Sequence, residues 1–458
     1  MKRIVFTGLL LLSGAFFGGN IFADDLGMNE DDMFKDSEMM VDTNTVIKDN
    51  VAAILDQDSV NFSGNILSRT SFYMTKQWLE GLTDGDKNLF TAKLEGNFIL
   101  DIRLRMGFKA FVNLAINYNT VADPYAIYGA QYILLTNLLG SNAALLDATG
   151  DNTEILLKEV FMDMNIDKSV YFRLGKQVLQ WGQGYFWNPT DLLNSELKSF
   201  SDMSKMREGS FGFRIHIPIE SIFNFYAFID ARDVEKFTDF AIAGKVQFLV
   251  GITEFGLSAW AKKGFYPVYG VDFTTSLFGI DLRGEMSISY GDNHHVLGDM
   301  VVMGPYTNYT VASIEDRWVP RISLGFTKTF DWDVQDRIML VGEFYYNDSG
   351  YYENVFKDPA KKQALFINNL YQPNYHSAYY GALFISIGKF PINDMSFSVN
   401  ALGNFNDYSF TVVAGLSYTP VMNFTLGFNI YGFLGEDDCE FTMSGNRLAL
   451  EATAKVVF

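Results

Sequence analysis

The chain of 458 residues is predicted to be all-β, a transmembrane antiparallel β-barrel of about eighteen strands with sixteen as the alternative count. Three features predict it. Apolar and polar residues alternate with a period of two in segment after segment. After about residue 60 no apolar run reaches the roughly 18 residues that span a bilayer as a helix, although 48% of the residues are hydrophobic. Aromatic residues make up 16% of the chain, an excess that a soluble sandwich with one buried face does not need.

Residues 1–23 read as a secretory signal peptide: Lys2 and Arg3, an apolar stretch over 4–17, and the small Ala23 before Asp24. The apolar stretch is short for a membrane anchor of roughly 20 residues. The single cysteine, Cys439, lies far downstream, so neither lipid attachment nor an internal disulfide is available. Residues 24–58 form an acidic tail, with Asp24, Asp25, Glu30, Asp31, Asp32, Asp36, Glu38 and Asp42 against Lys35 over its first half. Such a segment buries too little apolar surface to fold alone. It reads as a solvated periplasmic tail, with a small plug or a partner-binding arm as the alternatives.

The barrel occupies 59–458. Strands are expected near 60–74, 91–100, 104–118, 154–166, 170–180, 207–217, 221–231, 239–249, 253–262, 268–276, 279–290, 319–330, 336–346, 377–388, 395–404, 409–418, 422–433 and 446–458. The third shows the pattern well: Leu104, Met106, Phe108, Ala110, Val112, Leu114 and Ile116 suit lipid, while the interleaved Arg103, Arg105, Lys109, Asn113 and Asn117 suit water. With the first strand rising from the periplasm, connections after even strands are short turns. All the long ones, 75–90, 119–153, 181–206, 291–318 and 347–376, fall at the other end. An even count puts both termini in the periplasm.

A formal charge of -19 argues against a nucleic-acid partner, which needs a basic footprint. Four histidines and one cysteine make a zinc site or a cysteine nucleophile unfavoured, so no metal, cofactor or catalytic residue is expected. His216 facing Asp230 on the next strand is the nearest approach to an enzymatic pair. Two further readings remain open: a transporter of hydrophobic substrates, suggested by the apolar run 133–139 beside Tyr125, Tyr128 and Tyr132, and a surface adhesin or receptor built from the long loops.

Residues 446–458 present Leu448, Leu450, Ala452, Ala454, Val456 and Phe458 on one face and Arg447, Glu451, Thr453 and Lys455 on the other. This resembles the closing strand of Gram-negative outer-membrane β-barrel proteins, whose last aromatic residue is read by the barrel assembly machinery. Gly175-Lys176-Gln177, then Trp181-Gly182, then Asn188-Pro189-Thr190-Asp191 resembles a motif of porin-like outer-membrane barrels in which a loop folds inward. The resemblance implies an outer-membrane channel for passive diffusion of small hydrophilic solutes or ions, narrowed by the loop after strand five. Lys176, Gln177, Gln180, Trp181, Gln183, Tyr185, Trp187 and Asp191 are the constriction candidates; in the alternative, Trp181, Tyr185, Phe186 and Trp187 belong to an aromatic girdle. The pore-lining candidates are Arg103, Arg105, Lys109, Glu159, Asp163, Arg173, Arg214, Asp281, Arg283 and Glu285. Their arginines form either an anion-guiding ladder or a wall neutralised by Glu159 and Asp163. The expected partners are outer-membrane lipids and the assembly machinery, with a homo-oligomer left open.

Overall fold

The computed structural model describes residues 59–81, 89–104, 107–120, 152–179, 181–191, 193, 207–219, 222–232, 234–303, 306–331 and 337–458. The signal peptide, the acidic tail and the apolar run 133–139 fall outside them. Among the described residues no helix is long and apolar enough to cross a membrane. Eighteen antiparallel strands instead form one closed sheet.

In chain order the strands are β1 (Ser59–Thr75), β2 (Leu89–Leu104), β3 (Phe108–Asn119), β4 (Thr153–Ile166), β5 (Val170–Gln177), β6 (Ser210–Ile219), β7 (Phe223–Asp230), β8 (Ala241–Val250), β9 (Thr253–Lys262), β10 (Val268–Leu277), β11 (Ile280–Tyr290), β12 (His295–Met303), β13 (Tyr306–Ser313), β14 (Trp318–Asp331), β15 (Arg337–Asn347), β16 (Tyr379–Ile387), β17 (Met395–Asn404), β18 (Ser409–Val421), β19 (Phe424–Leu434) and β20 (Asn446–Val457). β12 and β13 pair only with each other, and β11 pairs directly with β14. The expectation that 291–318 is a plain loop is therefore corrected: it carries a hairpin outside the barrel. Other corrections concern strand ends. β2 runs through Arg103 to Leu104, so Arg103 belongs to strand two, not strand three. β5 stops at Gln177 and β6 begins at Ser210.

Alternation sets the two faces. Outward residues such as Leu257, Leu324 and Ile242 are half or more exposed, as a lipid-facing surface requires. Tyr290 and Trp318 meet at 5.3 Å, and Tyr346 and Tyr379 also at 5.3 Å, near the ends of β11, β14, β15 and β16, where an aromatic girdle belongs. β11, with 11 residues at about 3.3 Å each and tilted about 40°, rises roughly 25 Å, the height of the apolar band of such barrels. At one end the connections are short. Between β4 and β5 the connection is three residues, 167–169: Asp167 and Lys168 both take positive φ (50° and 54°), and Ser169 N donates to Ile166 O at 2.9 Å, closing a tight hairpin.

β1 closes the ring against β20. At its lower end Gly64 N donates to Phe458 O (2.9 Å) and Phe458 N to Gly64 O (3.0 Å), with the Phe458 ring 5.7 Å from Phe62 and 6.2 Å from Phe98. Midway, the buried Glu451 accepts from Arg69 Nη1 (3.1 Å), Ser71 Oγ (3.3 Å), Asn429 Nδ2 (3.0 Å) and Tyr431 Oη (3.0 Å), joining β19, β20 and β1.

At the long-loop end, helix α1 (Lys76–Leu79) follows β1, and helix α2 (Pro359–Ile367) starts at Asp358, whose carboxylate accepts from Ala360 N at 2.9 Å. Val355, Phe356 and Leu365 pack with Leu297, Tyr351, Phe366, Tyr371 and Met443 into a small core that ties α2, β12 and the β19–β20 connection together. Beside it the buried Glu440 accepts from Tyr380 Oη (2.6 Å), Asn404 Nδ2 (2.8 Å), Asn374 N (2.8 Å) and Tyr371 Oη (3.4 Å), while its own N donates to Asp407 (2.7 Å). Burial pushes the Glu440 carboxyl up to about 7, and the nearby Asp407 charge adds to the rise.

Glu451→Ala should lower the temperature at which the folded barrel loses its compact gel mobility. The cost should be about 2 kcal/mol, below that of a fully buried pair because Arg69 keeps Glu95 at 4.0 Å. A raised carboxyl binds its proton more tightly folded than unfolded, so Glu440 contributes stability that is complete below about pH 4.5 and is lost as pH rises through about 7. Hydrogen exchange over 435–445, corrected for intrinsic rate, should therefore be faster at about pH 8 than at about pH 5, and Glu440→Gln should flatten that difference.

Candidate functional site

Eighteen strands about 4.8 Å apart, tilted about 40°, enclose a ring roughly 35 Å across between backbones. Its inner wall is not polar throughout. β15, β16 and β17 turn Val341, Tyr345, Tyr380, Ala382, Phe384 and Leu402 inward, and all are buried. What buries them is the segment after β5. Tyr185, Phe186 and Trp187 pack on that patch, with Trp187 fully buried and stacked on Tyr345 at 5.5 Å and 6°. The Trp187 indole N–H donates to Asn374 O at 2.9 Å. A second contact places Leu179, Trp181 and Leu193 against Phe228 of β7 and Ala243 of β8. Each large side chain so buried contributes on the order of 2–3 kcal/mol. The girdle reading of Trp181, Tyr185, Phe186 and Trp187 is thus corrected: they lie inside the ring, drawn there by an inward apolar patch.

β15 stands eight places from β5 round the 18-strand ring, close to diametrically opposite. The eight steps from Gln177 to Tyr185 reach at most about 29 Å, and the docking of Tyr185 near β15 takes the segment across much of the bore. Being irregular, it brings backbone groups that need partners. Glu343 of β15 supplies three of them, accepting from Tyr185 N (2.6 Å), Phe186 N (3.2 Å) and Trp187 N (2.7 Å), and also from Ser323 Oγ (2.9 Å). Glu285 of β11 accepts from Gly184 N (3.1 Å), Asn188 Nδ2 (2.9 Å) and Thr190 Oγ1 (2.5 Å). The buried Lys245, paired with Asp272 at 3.0 Å, donates to Trp181 O. Asp191 binds Arg207 at 2.5 Å. The glycines make this approach feasible: a Cβ on Gly184 would lie 1.9 Å from Trp187 O and 2.6 Å from Glu285 Oε1.

The facing wall is different. Arg173 pairs with Asp163 at 2.6 Å, its guanidinium 3.8 Å from the Phe161 ring centroid. Arg103 and Lys109 share Asp101 at 3.1 and 3.4 Å. Arg214 stands opposite Arg173 in the β5–β6 register. The Glu159 carboxylate accepts from Val178 N at 2.9 Å, at the root of the crossing segment. Lys176 alternates with the inward residues of β5 and meets Glu208, whereas Gln177 is inward and buried. Gln183 is half-buried. Asp281 is exposed at the end of β11, and Arg283 donates to Thr327 with its guanidinium 5.8 Å from the Tyr185 ring. Arg105 and Gln180 lie outside the described residues. His216 meets Asn224 (3.0 Å) and stacks on Tyr226 (4.3 Å), while Asp230 binds Arg232, so the His–Asp pairing does not form.

Glu343, Lys245 and Asp272 are not among the candidates singled out from the sequence. A signal was present for Glu343, an acid flanked two residues away on each side by Val341 and Tyr345, so that one inward face carries a charge between apolar neighbours.

The closed 18-strand ring has counterparts among solved structures. OccAB1 of Acinetobacter baumannii aligns with a TM-score of 0.51 at 11% identity, covering 87% of this chain and 96% of that one. OccK2 (OpdF) of Pseudomonas aeruginosa, solved in complex with glucuronate, aligns at 0.50 and 9% identity over 87% and 98%. No family model and no curated protein matches the chain. The likeness is one of fold, and it is the fold of outer-membrane porin barrels.

Gly184→Ala should dislodge the segment while leaving the barrel intact. Near-UV circular dichroism, which reads the packed Trp181 and Trp187, should weaken, with the far-UV β signal unchanged.

Proposed function

We propose that the chain is an outer-membrane channel for passive diffusion of small hydrophilic solutes or ions. The observation that carries this reading is the unequal burial of the two halves of the interior. Where the crossing segment docks, the wall charges are sealed: the side chains of Lys245 and Asp272 are 2% and 1% exposed. Along β1 to β5 the wall charges keep contact with solvent, at 28% for Glu95, 23% for Asp163, 20% for Lys109 and 14% for Arg173. The solute path then runs between the segment and this wall, lined by Arg103, Lys109, Asp163, Arg173 and Arg214, with Gln183 at its edge. Ion pairs along the path favour a hydrated solute over a hydrophobic one. The glucuronate held by OccK2 is a small polar solute of the same kind.

In this reading residues 1–23 direct export, both termini face the periplasm, and Phe458 is the mark read by the assembly machinery. Membrane lipids cover the outer face. The wall carries paired charges of both signs, so ion selectivity is weak.

Refolded protein in a planar bilayer under a salt gradient should give stable single-channel steps with a reversal potential close to zero. Silence from protein shown to be folded by its heat-modifiable gel mobility would sink the channel reading.

A further inference from the structure

The N–H groups of Tyr185, Phe186 and Trp187 are consecutive, and all three point at one carboxylate. Three adjacent donors converging on two oxygens form an anion-binding concavity, the arrangement by which backbone turns hold anions elsewhere. Here the anion is supplied by the opposite wall. Among the described residues no Lys or Arg forms an ion pair with Glu343; its carboxylate is hydrogen-bonded by these donors and by Ser323 Oγ, with the Arg283 charge farther off on the neighbouring wall. Hydrogen bonds to an ionised acceptor are short and strong, and the 2.6 and 2.7 Å contacts fit that class. Without the carboxylate the segment has three orphaned N–H groups, since it belongs to no strand or helix that would pair them.

We infer that the 185–187 turn is an intramolecular anion receptor whose ligand is the Glu343 carboxylate, and that this occupancy holds the segment across the bore. Glu343 is on this account a positioning residue for the channel, and the inference rests on the channel reading above. Glu285 assists it at Gly184, Asn188 and Thr190 but relies partly on side-chain donors. Glutamine at 343 keeps the volume but presents one acceptor oxygen and an NH2 that faces donors, so the isosteric change separates the receptor from mere packing.

The test is single-channel conductance of wild type, Glu343→Gln and Glu343→Ala, each first shown folded by gel mobility and far-UV circular dichroism. Both variants should conduct about two-fold or more above wild type as the segment swings free. Sodium formate replacing chloride at constant ionic strength should bring Glu343→Ala back toward the wild-type step, because formate fills the vacated receptor. It should leave Glu343→Gln open, because the glutamine occupies the space. A conducting wild type with unaltered variants overturns the inference alone. Variants that open but ignore formate overturn the receptor assignment. A folded wild type that passes no current overturns the channel reading beneath it.

Discussion

A bilayer interior offers no water to a backbone N–H, so strands can cross it only where every ladder group meets another strand. That constraint forces closure, and closure happens between β1 and β20, where Gly64 and Phe458 exchange backbone hydrogen bonds and Glu451 of β20 gathers donors from the strands on either side, β1 and β19. Once eighteen strands close, the bore is far wider than side chains alone can fill. The rest of the molecule answers that width.

The answer is the segment after β5, and its docking is as much polar as apolar. An inward patch of Val341, Tyr345, Tyr380 and Phe384 would be costly in contact with water, and the Tyr185, Phe186 and Trp187 side chains cover it. Apolar cover alone would bury backbone donors unpaired. Glu343 and Glu285 reach from the wall to those donors, so the same strands supply both the greasy seat and the acceptors. The interior is consequently lopsided. One half is packed and sealed; the other keeps ion pairs such as Arg173–Asp163 in partial contact with solvent.

Much of the barrel could be read beforehand because the strand period is two and each side chain's environment follows from its parity. The ladder registers of β3, β11 and β20 follow the faces expected of them. The β12–β13 hairpin was hidden because it alternates like any strand pair yet lies in a stretch whose neighbours, Tyr290 and Trp318, already mark the membrane edge. Arg103 was misplaced by one strand because charged residues crowd the β2–β3 turn and blur where it falls. Pairing partners were harder still. That Asp163 meets Arg173 was anticipated; that Glu159 also accepts from a backbone N–H at the segment's root was not, because an irregular segment's donors carry no periodic signal.

By itself the sequence determined the barrel class, the strand order, the lipid and interior faces, and the segment rich in glycine and aromatic residues that leaves strand five. Those follow from short-range rules, namely alternation, turn chemistry and the length a bilayer demands. Only the tertiary structure decided that this segment lies inside, which wall receives it, and that Glu343 of that wall accepts its backbone donors. Those outcomes depend on contacts between residues 156 to 158 positions apart, brought together by the curvature of a closed ring that no local pattern encodes.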